Sequence, residues 1–313
     1  MDDPILAEGT PVEDATRTLL EAGVGDGLPV VPPTLARLEA MLAGTPDPDS
    51  ALGPVPPLFR ELTPAAAAYH AVLAGCRPAE LPVVLAALRA CLEPEFNLLG
   101  VQTTTGTAAV AVVVRGPVVG ELGMTTGANL LGPGNRANAS VGRAVALGLA
   151  GIGGARPGET DMATTGQPAR YGMCLPVPAG TEDSVTVLAV GGTAEVLPRD
   201  GGGTVDEILG PLADALAGAA LAAGDPGRMA ACEQVVVLPP EVADRLATLG
   251  APDVRAELFE RGNSVLAARN LPDARVAAGP DALHVLVTGG AGTKMLHLPG
   301  WIGGSRAVAR RFP

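Results

Sequence analysis

The sequence predicts an α/β protein built from layered mixed sheets with flanking helices, and three observations lead to that class. Strand-like and helix-like segments alternate through the second half of the chain, which is typical of α/β layers. Hydrophobic residues make up 47% of the 313 positions, which is enough for a sizeable core. Aromatic residues make up only 2%, so the core has to be formed mainly by Ala, Val and Leu.

The first part of the chain is predicted to be mostly helical. Helices are expected over 12–23, 35–44, 64–75 and 79–92. Thr34 and Thr63 stand where an N-cap is needed, and Pro64 occupies the first helical position, where proline is well tolerated. The Pro-rich stretch 45–58 is expected to be a loop.

The middle of the chain changes character. The apolar, β-branched run 108–114 predicts a strand buried on both faces. A polar segment, 121–142, follows it and leads into a helical pattern over 139–154. Residues 155–180 are expected to be another loop.

The predicted strands and helices alternate in the second half of the chain. Strands are predicted over 184–192 and 233–240, a strand that runs into a glycine loop over 282–294, and helices over 204–224, 241–250 and 252–263. Thr204 is the expected N-cap of the first of these helices, and Pro252 stands near the start of the last. We expect two α/β subdomains, residues 1–182 and 183–313.

Charge and composition exclude several classes of function. The formal net charge of −12 disfavours binding to nucleic acid, because an acidic surface repels phosphates. No run of about 18 apolar residues predicts a membrane span, and the acidic start MDDP is unlike a signal peptide, so a cytoplasmic protein is expected. The four cysteines are scattered and no metal-ligand spacing appears, so neither a metal nor a cofactor is predicted.

The segment 121–142 is the strongest candidate for a binding site. Its amides, its fixed cation and the helix that begins within it suit a carboxylate or phosphate. The residues proposed to bind substrate there are Asn129, Asn135, Arg136 and Asn138. The alternative interpretation is a solvent-facing loop whose amides cap their own backbone.

The second candidate is the stretch 287–300, where a predicted strand ends in a glycine loop. Ligands of α/β sheets often bind at such a place. Gly290 and Gly292 would approach the ligand, and Lys294 and His297 would transfer protons. The loop matches neither of the common nucleotide-binding patterns. The alternative is a tight turn with an exposed lysine.

Threonines and a cysteine complete the set. Thr104 and Thr105, just before the apolar strand, would orient the substrate, or else form a polar strand end. Cys174 is the best-placed thiol, in what is expected to be a polar loop. A buried, inert thiol is its alternative. His70 and His284 are expected to be hydrogen-bonded core histidines.

Several stretches together resemble a poorly characterised bacterial family that is often encoded beside small UGSC-type (seleno)proteins. They are GDGLPVVPPT, AGCRPAELPVVLAAL, LEPEFNLLGVQTTT, ELGMTTGANLLGPGNRANASVGRA, GGARPGETDMATTGQPARY and the C-terminal GGAG-K-LPG-SRAV segment. The resemblance implies thiol or selenol redox chemistry nearby. The chain departs from the family where members show GGAGKHS and this chain has GGAGTKM, and in a shorter polar insertion after Cys174.

The leading hypothesis is an enzyme that acts on a small anionic metabolite by acid/base chemistry of the lyase or hydrolase type, without a nucleotide cofactor. The alternatives are a thiol-redox enzyme that uses Cys174 with a small redox protein, and a non-catalytic partner subunit. A homodimer is a further expectation.

Overall fold

The structure is a computed structural model that describes residues 3–251 and 253–312. Its helices are α1 Val12–Glu21, α2 Leu35–Leu42, α3 Pro64–Leu73, α4 Leu81–Cys91, α5 Leu98–Thr103, α6 Val118–Glu121, α7 Arg136–Gly153, α8 Val205–Ala222, α9 Pro240–Thr248 and α10 Val254–Ala268. Its strands are β1 Gly53–Val55, β2 Arg60–Leu62, β3 Ala109–Arg115, β4 Met173–Val177, β5 Ser184–Val190, β6 Ala194–Val196, β7 Gln234–Leu238, β8 Leu283–Val287, β9 Met295–Leu298 and β10 Val308–Arg311.

The predicted α/β class is confirmed, because parallel and antiparallel pairs occur in sheets flanked by helices. One four-stranded sheet has the order β10-β5-β3-β4, with β3 parallel to β4 and β10 antiparallel to β5. The other has the order β6-β9-β7-β8, with β7 parallel to β8 and antiparallel to β9. A short hairpin pairs β1 with β2.

The chain divides into two compact units that are not consecutive in sequence. The first unit comprises the residues up to Thr125, Leu131–Leu188 and the residues from Ala307 on. The second comprises Thr126–Leu130 and Ala189–Arg306. The predicted ranges 1–182 and 183–313 therefore differ from these units in three places: the segment 126–130, most of β5, and β10.

The core of the first unit lies among α3, α4, α7, β3 and β4. Ala and Val dominate it, as the composition predicts, and most of α3 is buried. Helix α7 packs closely on β4 through Gly142, where a Cβ atom would come within 2.8 Å of the Met173 nitrogen. Glycine is required there because no side chain fits between helix and strand.

The second unit has its own core. In it, α8 and α10 pack together, and their buried side chains form one hydrophobic cluster with buried side chains of β7 and β8. Ile208, Leu212 and Leu216 of α8 are fully buried. Thr204 caps α8 as predicted, since its Oγ1 accepts a hydrogen bond from the Glu207 nitrogen at 3.2 Å. Pro252 lies outside the described residues.

Two expectations about local structure are wrong. The stretch 155–180 is not all loop: Pro168–Tyr171 forms a 3₁₀ turn and β4 follows it. The Pro-rich stretch 45–58 contains β1. Pro54 and Pro176 are part of these strands, and proline argues against a strand when the sequence is considered alone.

Among the described helices, none is both long and apolar enough to cross a membrane.

Candidate functional site

The residues predicted for one site are divided between the two units. The first unit contains Thr104, Thr105, Asn135, Arg136, Asn138 and Cys174. The second contains Asn129, Gly290, Gly292, Lys294 and His297.

Arg136, the first residue of α7, is paired with a buried carboxylate that was not predicted to belong to a site. Its Nη2 contacts Glu80 Oε1, and its Nη1 donates to Glu80 Oε2 at 3.1 Å. Glu80 is 1% exposed, whereas the Arg136 side chain is 39% exposed. The hydrogen bond to Glu80 raises the pKa of Arg136. One side of the guanidinium is therefore fixed by the protein, and the rest of it is accessible.

Cys76 shares this carboxylate. It follows α3 after Gly75, whose φ of +80° ends the helix, and its backbone nitrogen donates to the Ala71 oxygen at 2.9 Å. The thiol is half-buried and lies close enough to Glu80 for that carboxylate to act on its pKa. Burial and then the negative charge of Glu80 raise the pKa of Cys76 well above its ordinary value, so the thiol keeps its proton at neutral pH.

Cys174 lies beside the same cluster, in a different environment from the one predicted. It is the second residue of β4, it is 3% exposed, and it is not in a polar loop. Burial, followed by the charge of Glu80, raises the pKa of Cys174 to about 12. The negative charge of Glu80 contributes to the raised pKa of both Cys76 and Cys174, so both thiols lie near this carboxylate.

Cys76 and Glu80 were not predicted as site residues, although the sequence contains a signal for them. The two residues are four positions apart in the stretch AGCRPAE. Pro78 begins a 3₁₀ turn, and Glu80 turns back to accept a hydrogen bond from the Arg77 nitrogen at 2.9 Å. This local turn directs the carboxylate inward, where Arg136 meets it.

Asn138 holds the polar segment together. It is 3% exposed, its Oδ1 accepts from the Thr125 nitrogen at 3.0 Å, and its Nδ2 donates to the Thr125 oxygen at 2.9 Å. Asn135 precedes α7, and its Nδ2 donates to the Gly132 oxygen at 3.5 Å. These contacts correspond to the alternative interpretation, in which the amides cap their own loop.

Thr104 and Thr105 belong to a loop that is tied to the segment before β4. Thr104 Oγ1 accepts from the Gly106 nitrogen at 2.9 Å. The Thr105 carbonyl oxygen accepts from Thr164 twice, from its nitrogen at 3.0 Å and from its Oγ1 at 3.1 Å. These hydrogen bonds connect neither threonine to Arg136 or Cys76.

In the second unit, Lys294 and His297 have opposite environments. The Lys294 side chain is 67% exposed, and its Nζ lies 3.6 Å from Oε2 of Glu195, itself half exposed. His297 on β9 is 3% exposed, and its Nε2 lies 2.6 Å from Gln234 Oε1. Because Gln234 donates through its own amide nitrogen to Val276, its Oε1 is the acceptor and His297 Nε2 carries the proton. Burial lowers the pKa of His297 to about 4.

The glycines of the second unit serve close backbone packing. A Cβ atom on Gly290 would lie 2.7 Å from the Ala128 Cα atom. Gly289 donates its N–H to the Thr126 oxygen at 2.9 Å, and Gly292, with φ +130°, donates to Glu241 Oε2 at 3.1 Å. Asn129 adopts a left-handed conformation, with φ +60°.

The two remaining histidines also differ. His70 is fully buried in α3, with Nδ1 2.9 Å from the Ala66 oxygen, as expected of a core histidine. The His284 side chain is 24% exposed on β8, and its Nε2 lies 2.7 Å from Glu233 Oε2.

Over residues 3–251 and 253–312, no three side chains of His, Cys, Asp or Glu are grouped in a way that could hold a metal ion. No protein-family model matches the chain, and no curated protein matches it. The first unit thus contributes one cluster in which a thiol, a carboxylate and a guanidinium meet, formed by Cys76, Glu80 and Arg136. We call it the Glu80 cluster.

Proposed function

We propose that the protein is an enzyme that acts on a small anionic metabolite at the Glu80 cluster, by acid/base chemistry of the lyase or hydrolase type. One observation supports this proposal most: a carboxylate that is 1% exposed is shared by a half-buried thiol and a partly exposed guanidinium. Perturbed titratable groups in one place are more typical of functional sites than of ordinary surfaces.

Each group has a distinct role in the proposed reaction. The accessible side of Arg136 binds the anionic group of the substrate through charge-assisted hydrogen bonds. Glu80 removes a proton from the carbon beside the anionic group of the substrate, and the electron pair of the broken C–H bond passes to a substrate oxygen, to which the Cys76 thiol, protonated at neutral pH, donates its proton. The reverse transfers restore the C–H bond and the thiol. Glu80 also fixes Arg136. The positive end of the 18-residue helix α7 favours negative charge at the same place.

The test measures binding and proton transfer together. The 313-residue chain is screened by thermal shift against pyruvate, lactate, malate, succinate, malonate and inorganic phosphate. Any carboxylate that binds is then incubated in D2O, and deuterium uptake at the carbon beside its carboxylate is followed by NMR. We expect uptake with the wild type and its loss in Cys76→Ala.

Cys91→Ala is the matched control, because Cys91 is a buried thiol whose pKa is raised by burial alone. It should keep both binding and exchange. If no probe binds, or if Cys76→Ala exchanges deuterium as fast as the wild type, the proposal is wrong, and a non-catalytic subunit becomes the better hypothesis.

A thiol-redox enzyme is the second candidate, and the observation in its favour is that Cys76 and Cys174 both lie near Glu80. The raised pKa of each thiol disfavours the reactive thiolate form. Iodoacetamide labelling at pH 7 discriminates between the two candidates. Fast, selective labelling of either cysteine would support redox chemistry with a thiol partner, and slow labelling of both would support the acid/base proposal.

A further inference from the structure

Ser140 is a buried polar side chain beside the Glu80 cluster that the proposed reaction has not used. It is 7% exposed. No hydrogen bond is found for its hydroxyl among the described residues, and its Oγ keeps some access to solvent. A hydroxyl on a nearly buried residue that has no protein partner, but whose oxygen can be reached, is free to bind a ligand.

The position of Ser140 links it to the cluster. It lies four residues after Arg136 on α7, and residues with that spacing are neighbours on the same face of a helix. A Cβ atom on Gly75 would lie 3.8 Å from Ser140 Oγ. The same Gly75 accepts a hydrogen bond from Arg136 Nη1 at 3.4 Å and directly precedes Cys76. Arg136, Ser140 and the backbone before Cys76 therefore lie together.

The absence of a side chain at position 75 leaves room at this place. The positive φ of Gly75 favours glycine on conformational grounds alone. A methyl group there would reach van der Waals contact with Ser140 Oγ and with Val31, at 3.8 and 3.7 Å. A methyl group at position 75 would therefore lie against the Ser140 hydroxyl, and glycine leaves that side of the hydroxyl uncovered.

We infer that Ser140 is a substrate-positioning residue of the Glu80 cluster and that the substrate is a carboxylate, one oxygen of which accepts a hydrogen bond from the Ser140 hydroxyl while another is bound by Arg136. This inference rests on the proposed function. It adds a second contact to the anion, and it names the anion.

The charges favour a carboxylate over a phosphate. Arg136 is the one cation of the cluster, and its charge is already balanced by Glu80. A dianion would meet too little positive charge there, whereas a carboxylate carries a single charge and needs only the accessible side of the guanidinium and one neutral donor. The net negative charge of the whole protein also disfavours a dianion more than a monoanion.

The experiment compares stability with binding. Ser140→Ala, Arg136→Lys and the control Ser264→Ala are prepared, the last removing an exposed hydroxyl that bonds to the Glu260 oxygen in α10. Melting temperatures are measured without ligand, and dissociation constants for pyruvate, lactate, malate, succinate, malonate and inorganic phosphate are measured by calorimetry.

We expect Ser140→Ala to melt close to the wild-type temperature, because no hydrogen bond within the protein is lost with the hydroxyl. The same substitution should weaken binding of the best carboxylate about tenfold, which corresponds to the loss of one hydrogen bond to a charged group. Ser264→Ala should bind as the wild type does, and phosphate should bind more weakly than the best carboxylate.

Four outcomes would overturn the inference. A lowered melting temperature with unchanged affinity would make Ser140 a structural residue. Preference for phosphate would refute the assignment of the anion. Loss of binding in Arg136→Lys but not in Ser140→Ala would refute the role of Ser140 and leave the proposed function standing. If neither substitution changes the affinity of any probe, the proposed function fails together with the inference.

Discussion

The Glu80 cluster of the first unit, of which only Arg136 was predicted, and the predicted Lys294–His297 region of the second unit differ in how charge is held. In the first, a fully buried carboxylate fixes an accessible cation and a thiol. In the second, the cation is exposed beside an exposed carboxylate, and the histidine is enclosed in a strand. Groups of the same types are therefore suited to chemistry only where a buried partner perturbs their pKa values and leaves one side of them accessible.

The largest expected effect concerns the enclosed histidine. The pKa of His297 is about 4 in the folded protein and about 6.5 when unfolded, so the unfolded chain binds the proton more tightly. The contribution of His297 is present above pH 6.5 and is lost as the pH falls toward 4, which amounts to about 3 kcal/mol.

Urea denaturation at pH 7.5, 5.5 and 4.5 measures this effect against His297→Gln, which retains a donor for Gln234. The wild type should lose more stability than the variant as the pH falls. Equal losses would mean that His297 takes up its proton as readily in the folded state as in the unfolded state, which would remove the contrast between the two regions.

The next effect compares the two ion pairs. Arg136→Ala leaves Glu80 buried without its partner, which should cost about 2 kcal/mol, below the usual range for a buried pair because Arg136 is partly exposed. Lys294→Ala breaks an exposed pair and should cost about 0.5 kcal/mol or less. Guanidinium denaturation measures both variants. Similar costs would show that the Glu80 cluster is no more constrained than the surface pair.

The glycine loop of the second unit should prove structural. Gly290→Ala forces a methyl group against the Ala128 backbone, so we expect a loss of about 1–2 kcal/mol. Gly192→Ala in the same unit meets nothing within 4 Å and should be neutral or slightly stabilising. Thermal denaturation separates the two variants. A Gly290→Ala protein as stable as Gly192→Ala would reopen this loop as a place with room for a ligand.

The smallest effect concerns thiol reactivity. Glu80→Gln removes the charge that, after burial, does most to raise the pKa of Cys76, so that pKa should fall. Iodoacetamide labelling at pH 8, followed by mass spectrometry, should then become about threefold faster at Cys76. Cys174, which is fully enclosed, should remain unlabelled in both proteins. A slower rate in the variant would contradict the contact between the thiol and Glu80.

The sequence predicts elements whose signals are local. Thr63 and Thr204 cap α3 and α8 as expected, because an N-cap needs only its neighbours three residues on. Strands β4 and β9 were missed, since each is short and contains a residue that weakens the pattern, Pro176 in one and His297 in the other. Their pairing partners lie far away in the sequence.

In the candidate site, too, only the residue with a local signal in the sequence was predicted. Arg136 is identified by its place at the start of a helix. Glu80 and Ser140 were missed, because the sequence does not show that a carboxylate is 1% exposed or that a hydroxyl lacks a partner. Cys174 was chosen for a polar setting that the fold replaces with a buried strand. Burial depends on contacts between distant segments, and these are the information that local patterns lack.

The pairing of β10 with β5 has a consequence for the order in which the first unit is completed during synthesis. Strand β10 is translated after almost the whole of the second unit, yet it covers one edge of the first unit's sheet, with Val308 opposite Val187 and Arg311 opposite Ser184. Until then, β5 presents unpaired backbone groups, which can recruit a strand from another chain. The β5 edge of a nascent first unit thus stays open to mispairing until residues 308–311 have been synthesised.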